Sequence, residues 1–180
     1  SQYKPPNAAA GRSNVGFALS RDEIVDRLEQ INLAVGDGHE LASHGCGHFD
    51  GGNWTEAQWK HEFAQFDTIL RGAYRLNGLT NEPAGWSKAV DDVRGFRAPY
   101  LSKDAALYTA LGESGFAYDA SGVSRGPVEP GHDPVARFAL PMIPEGPSQR
   151  AVIAMDYNLF ARHSRSVETQ DADGAFEARS

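Results

Sequence analysis

The chain has 180 residues, enough for one domain with a real core, and is 41% hydrophobic and 23% charged. A formal charge of -7 argues against a nucleic-acid or anionic-membrane partner, which needs a basic patch. The single cysteine, Cys46, excludes an internal disulfide, and no apolar run approaches the roughly 18–20 residues of a membrane span.

Residues 1–16, rich in Pro, Gly, Asn, Ser and Ala, read as a loop in which Pro5-Pro6 blocks helix. Ser20 with Glu23 three residues on is a helix-start signature. Ile24, Val25, Leu28, Ile31 and Val35 then follow a helical period, stopped by Gly36 and Gly38. Glu40 to Ser43 reads as a short buried strand leading into His44-Gly45-Cys46-Gly47-His48. Thr55 opens a second helix, capped by Thr55 or by the nearby Asn53, striped by Trp59, Phe63, Phe66, Ile69, Leu70, Tyr74 and Leu76 and ended by Asn77-Gly78. Residues 80–93 read as an irregular connection with one helical turn near Ser87. Arg94 to Phe96 reads as a strand ending at Arg97-Ala98-Pro99-Tyr100, and Ser102 as the cap of a third helix carrying Ala105, Leu107, Tyr108 and Leu111.

Phe116 to Asp119 is the next expected strand, 122–134 a Gly/Pro-rich loop, Arg137 to Ile143 and Ala151 to Asp156 further strands, and 164–174 a polar loop. The ending Ala175-Phe176-Glu177-Ala178-Arg179-Ser180 reads as the opening of a helix, and the chain does not begin with Met. The expectation is a fragment of a longer protein. No repeat or linker interrupts the chain, so 1–180 reads as a single, partial domain. Helices alternating with short buried strands predict an α/β architecture with a largely parallel sheet or barrel. Each motif falls just after a strand, the end at which active sites of parallel α/β folds assemble.

Three segments carry residues suited to chemistry. His44 and His48, held by a glycine-permitted turn, are able to converge two imidazoles on one divalent metal; surface or capping histidines are the plain alternative. Cys46 then points elsewhere and reads as a small packed residue. In Arg97-Ala98-Pro99-Tyr100, proline stiffens the loop, Arg97 is able to orient a carboxylate, and the Tyr100 N–H is able to face a developing oxyanion. Asp119 ends an apolar strand and either pairs with an arginine, bonds the loop backbone, or is an ordinary turn aspartate.

Together, Gly38 to His48, Phe96-Arg97-Ala98-Pro99-Tyr100 and Tyr118-Asp119-Ala120-Ser121 resemble, in order, successive motifs of the polysaccharide deacetylase (NodB-homology, carbohydrate esterase) family, over roughly residues 15–160. The resemblance implies a distorted, incomplete (β/α) barrel, truncated at both ends. It implies a metal-dependent hydrolase that removes acetyl groups from amino sugars of a chitin- or peptidoglycan-like polymer. A divalent metal, zinc foremost, would be held by His44, His48 and an aspartate. Arg97 would orient the base aspartate, Tyr100 would supply the oxyanion N–H, and Asp119 would support the site near its rim.

Departures accompany the match. Gly45 stands where many members have Ser or Thr, as in a branch resembling peptidoglycan deacetylases and allantoinase-like amidases. The opening Thr-Phe-Asp-Asp-type motif, source of the base and the aspartate ligand, is absent, and so is the late Leu-x-His motif that supplies the general acid. Arg162-His163-Ser164 lacks that motif's context, and Asp50, a possible substitute ligand, reads as part of a turn. The chain alone is therefore expected to be inactive or nearly so. An amidase or imidase acting on a small cyclic amide, or a carbohydrate-binding relic, are the other readings. Trp54, Trp59 and Trp86 are candidates for a sugar groove, although Trp59 also suits packing within its helix.

Overall fold

The computed structural model describes residues 3–164. They form two compact units, residues 3–121 with 131–137, and residues 122–130 with 138–164. The expected loop beyond residue 164 and the helix opening at Ala175 lie outside the described residues.

In the first unit, helix α1 (Arg21–Gly36) starts where Ser20 Oγ accepts the Glu23 N–H. The Glu23 carboxylate returns to the Leu19 N–H, one residue earlier than a reciprocal capping box requires. Strand β1 (Ala42–Ser43) is shorter than the expected Glu40–Ser43. Helix α2 (Glu56–Arg71) opens on a full capping box between Thr55 and Gln58. The apolar stripe that suggested one helix to Leu76 is broken at Gly72, after which α3 (Ala73–Leu76) follows. The turn near Ser87 is a short helix, α4 (Trp86–Asp91).

Strand β2 (Gly95–Phe96) leads into a 3-10 turn at Pro99–Leu101, then helix α5 (Ala105–Glu113). Its cap is Asp104, which accepts the Leu107 N–H; Ser102 instead donates to Asp50. Strand β3 (Tyr118–Ser124) extends past Asp119, so part of the expected 122–134 loop is strand. Strands β1, β2 and β3 are parallel neighbours, with Ser43 opposite Phe96 and Phe96 opposite Asp119. Because sheet registers are set residue by residue, this one brings the ends of β1 and β2 beside Asp119 and Ala120 of β3.

Two hydrophobic clusters hold this unit. Trp59 and Phe63 from α2 meet Phe96 of β2 and Leu107, Ala110 and Leu111 of α5, with Trp54 and Phe116 in ring contact at their borders. Leu28, Tyr74, Trp86 and Val90 tie α1, α3 and α4 together. Full burial of each large side chain stabilises the fold by about 1.5–3 kcal/mol before entropy is counted. Trp54 and Trp86 are as buried as Trp59, so none of the three lines a groove for a sugar; the Trp86 indole N–H donates to the Leu70 carbonyl inside its cluster.

In the second unit, the end of β3 lies beside β4 (Ala136–Glu145), with the backbone of Phe138 and Ala139 close enough to crowd a side chain at Gly122. Strand β4 pairs antiparallel with β5 (Arg150–Ile153). The strand expected to run to Asp156 ends early, and helix α6 (Asp156–Ser164), which the pattern did not suggest, begins there. The architecture is mixed α/β, with a parallel part carrying all three motifs and an antiparallel hairpin after it. Among the described residues no helix is long and apolar enough to cross a membrane.

Candidate functional site

His44 is the first residue after β1 and Arg97 the first after β2, so both sit at the carboxyl ends of parallel strands. The ladder continues one step, the Arg97 N–H donating to the Ser43 carbonyl at 2.9 Å. His44 then lies beside the arginine loop, its Nδ1 2.7 Å from the Arg97 carbonyl oxygen. A carbonyl only accepts, so Nδ1 carries the proton and Nε2 keeps its lone pair for a ligand. Burial holds the His44 imidazole below its ordinary pKa; the Arg97 carbonyl opposes that shift, and the nearby His48 and Arg97 charges add to it.

The His48 ring lies edge-on to that of His44, centroids 5.0 Å apart, and at the same separation from the Tyr100 ring. Backbone strain concentrates here. His48, Tyr100 and Leu101 all have left-handed φ, at 54°, 58° and 57°. Such conformations cost free energy in non-glycine residues and persist where surrounding bonds impose them. The Asn14 side chain donates to the His48 carbonyl at 3.1 Å, and the Asn14 N–H to the Gly47 carbonyl at 2.8 Å. The turn at Pro99 closes through Leu101 N–H to Ala98 and Ser102 N–H to Pro99, which leaves the Tyr100 N–H outside that pair of bonds. The Tyr100 side chain is 60% exposed.

Arg97 donates from Nε to the Ala120 carbonyl at 3.2 Å. Beside it, Asp119 is fully buried and is not a rim residue. Its Oδ1 accepts the Ser121 hydroxyl at 2.6 Å and its Oδ2 the Ser121 N–H at 3.0 Å, while the same hydroxyl oxygen accepts the Ala98 N–H at 2.7 Å. Asp119, Ser121 and Ala98 thus form a buried chain that holds the arginine loop onto β3. Burial pushes the Asp119 carboxyl above its ordinary range, against its Ser121 bonds and the charges of Lys103 and Arg137. Ser121 stood in the third motif but was not singled out as a site residue; a hydroxyl two residues after Asp119 in an apolar segment was the available signal.

A second residue that pattern reading missed is Glu62. It falls on the Trp59–Phe63–Phe66 stripe of α2, three residues after Trp59, where a carboxylate interrupts an apolar face. It is 2% exposed and lies beneath the histidine loop, accepting the Cys46 N–H at 2.7 Å. Cys46 is half-buried, and desolvation, followed by the Glu62 charge, pushes its thiol well above the ordinary range. Asp50 turns away, its Oδ1 accepting from Gly52 N–H and the Ser102 hydroxyl. These bonds also join the chain after His48 to the chain after Tyr100.

The donor chemistry of the two histidines suits two positions around a zinc-like ion, with His44 oriented by a backbone carbonyl in the manner of metal-ligating imidazoles. Among the described residues no group of three His, Cys, Asp or Glu side chains gathers where an ion could sit. A cavity of about 350 Å³ adjoins His44 but not His48, its lining including Ser43, Phe96, Arg97, Tyr118 and Ala120.

No family model and no curated protein matches the sequence. Among solved structures, the chain is similar to a provisionally named polysaccharide deacetylase from Mycobacterium smegmatis, at 21% identity and a TM-score of 0.45, over 67% of this chain and 37% of that one. It is also similar to the Xyl-CE4 domain of a multidomain xylanase from the hindgut metagenome of Trinervitermes trinervoides, at 20% identity and a TM-score of 0.29, over 53% of this chain and 49% of that one. The chain therefore spans less than half the length of either structure.

Proposed function

We propose that this chain carries part of the active site of a polysaccharide deacetylase of the NodB-homology type. The reaction would be hydrolysis of acetyl groups from amino sugars of a chitin- or peptidoglycan-like polymer. The observation that supports this reading most is the His44 Nδ1 contact to the Arg97 carbonyl, which joins two separate motifs at one end of a parallel sheet. On this reading β1, β2 and β3 are a segment of a (β/α) barrel, whose active sites form at the carboxyl ends of strands.

His44 and His48 would hold a divalent ion, zinc foremost, through two imidazole nitrogens. When bound, such an ion polarises a carbonyl and lowers the pKa of water. Arg97 would orient a carboxylate base through its guanidinium fork. The Tyr100 N–H, outside the bonds that close its own turn, would face the oxyanion of the tetrahedral intermediate. Asp119 would act at a distance, fixing the arginine loop through Ser121.

The test is acetate release from chitin and peptidoglycan oligomers by the full-length protein, with zinc titration of the same protein. His44→Ala and His48→Ala are each expected to abolish release and weaken zinc binding while leaving the melting temperature close to wild type. Equal zinc affinity in all three proteins, or acetate release by His44→Ala at the wild-type rate, refutes the assignment.

A further inference from the structure

Glu62 has no role in the reading above, yet few residues in the chain are more constrained. It is a fully buried carboxylate on a helix face otherwise given to Trp59 and Phe63. Among the described residues no Lys, Arg or His pairs with it. A buried carboxylate without a counter-charge is costly unless hydrogen-bond donors converge on it. Here they come from two segments far apart in sequence. The Cys46 N–H reaches Oε1 at 2.7 Å, and the Tyr3 hydroxyl reaches Oε2 at 2.8 Å.

The surroundings fit that arrangement closely. Gly45 has φ of +73°, and a Cβ there would stand 3.1 Å from Glu62 Oε1. A Cβ on Gly47 would stand 2.5 Å from the Tyr3 ring. Both glycines flanking Cys46 are therefore needed for the loop to sit down on Glu62 and Tyr3. Tyr3 is itself fixed, because the neighbouring Lys4 exchanges backbone bonds with the Gln65 side chain one turn further along α2. The loop so held is the one that carries His44 at one end and His48, with its strained φ, at the other.

We infer that Glu62 is the positioning residue of the histidine loop, with Tyr3 as its partner: the carboxylate clamps the Cys46 N–H and so sets the separation and direction of the His44 and His48 imidazoles. The inference deepens the metal-site reading and rests on it for its functional meaning, while the clamp itself is a property of the chain's own atoms. Gly45 then has a reason of its own. The loop is held by a carboxylate from below, and a side chain at that position would push it off.

Two variants of the full-length protein test this. Glu62→Met fills the same space with an apolar side chain and removes the acceptor, so the Cys46 N–H and the Tyr3 hydroxyl lose their partner and some stability goes with it. Glu62→Gln keeps an acceptor for Cys46 and a donor toward the Tyr3 oxygen. In metal-free protein, Glu62→Met is expected to speed hydrogen exchange at the Cys46 amide about tenfold or more. It should also shift the His44 and His48 ring resonances at temperatures where the variant is fully folded, its melting temperature falling by about 4–8 °C. Zinc affinity is expected to fall about tenfold or more, the cost usual for losing a residue that orients a ligand. Glu62→Gln is expected to stay near wild type in all of these.

Unchanged exchange and ring signals in Glu62→Met overturn the inference. So does a loss of zinc affinity that merely tracks a large loss of stability, shared equally by Glu62→Gln. Should wild-type protein bind no zinc while Glu62→Met still loosens the loop, the metal reading fails and the clamp stands.

Discussion

Replacing Ser121 with alanine removes one hydrogen-bonding oxygen from a fully buried site. Ser121, Asp119 and Ala98 are all fully buried. The hydroxyl donates to Asp119 Oδ1 at 2.6 Å and accepts from the Ala98 N–H at 2.7 Å. Losing a hydrogen bond to a charged group costs about 1.5–3 kcal/mol, and leaving a buried N–H unpaired costs about 1–3 kcal/mol. The two losses share one network and do not add fully, so Ser121→Ala is expected to cost about 3 kcal/mol. In a chain of this size that lowers the melting temperature by about 6–12 °C. Urea unfolding followed by tryptophan fluorescence measures the first quantity, and hydrogen exchange at the Ala98 amide locates it. A cost below about 0.5 kcal/mol, with the Ala98 amide still protected, would show that the arginine loop is not hung on this hydroxyl.

Two further outcomes follow from the same geometry. Burial raises the Asp119 carboxyl, so between the unfolded value near ~3.9 and the raised native value the native state holds a proton that the unfolded chain has released. The stability this group contributes is complete below that window and is lost as pH rises through it. Asp119→Asn cannot titrate, and its single amide oxygen accepts only one of the two Ser121 bonds. Whatever its starting stability, it should gain relative to wild type across the window; parallel stability–pH curves for the two proteins would refute this. At the core, a Cβ on Gly51 would run into the Trp59 ring and meet the Trp54 ring at 3.1 Å. Gly51→Ala is expected to cost about 1–3 kcal/mol by overpacking, and a melting temperature within 1 °C of wild type contradicts the close fit.

Local patterns made much of the molecule legible. Ser20 and Thr55 are caps whose side chains satisfy helix-start N–H groups within the same few residues, so a sequence reader meets the whole interaction at once. Patterns failed where a distant partner won. Ser102 has a cap's chemistry, but Asp50 captured its hydroxyl, and Asp104 took over the helix. Trp54 and Trp86 have the surface of a sugar platform, but their rings are spent in two separate cores.

The sequence by itself determined the α/β alternation and the position of the first two motifs just past a strand, because periodicity, caps and glycine stops act over a few residues; the third motif instead lies within β3. It also named His44, His48, Arg97, Tyr100 and Asp119. Only the tertiary structure decided what these residues do to one another. Parallel registry of β1 and β2 sets the His44 ring against the Arg97 carbonyl and thereby picks its tautomer. The buried course of Asp119 through Ser121 to Ala98, and of Glu62 to Cys46 and Tyr3, joins residues 23, 16 and 59 positions apart. A buried polar group must find its partner wherever the fold brings one, and that requirement leaves no periodic trace in the chain.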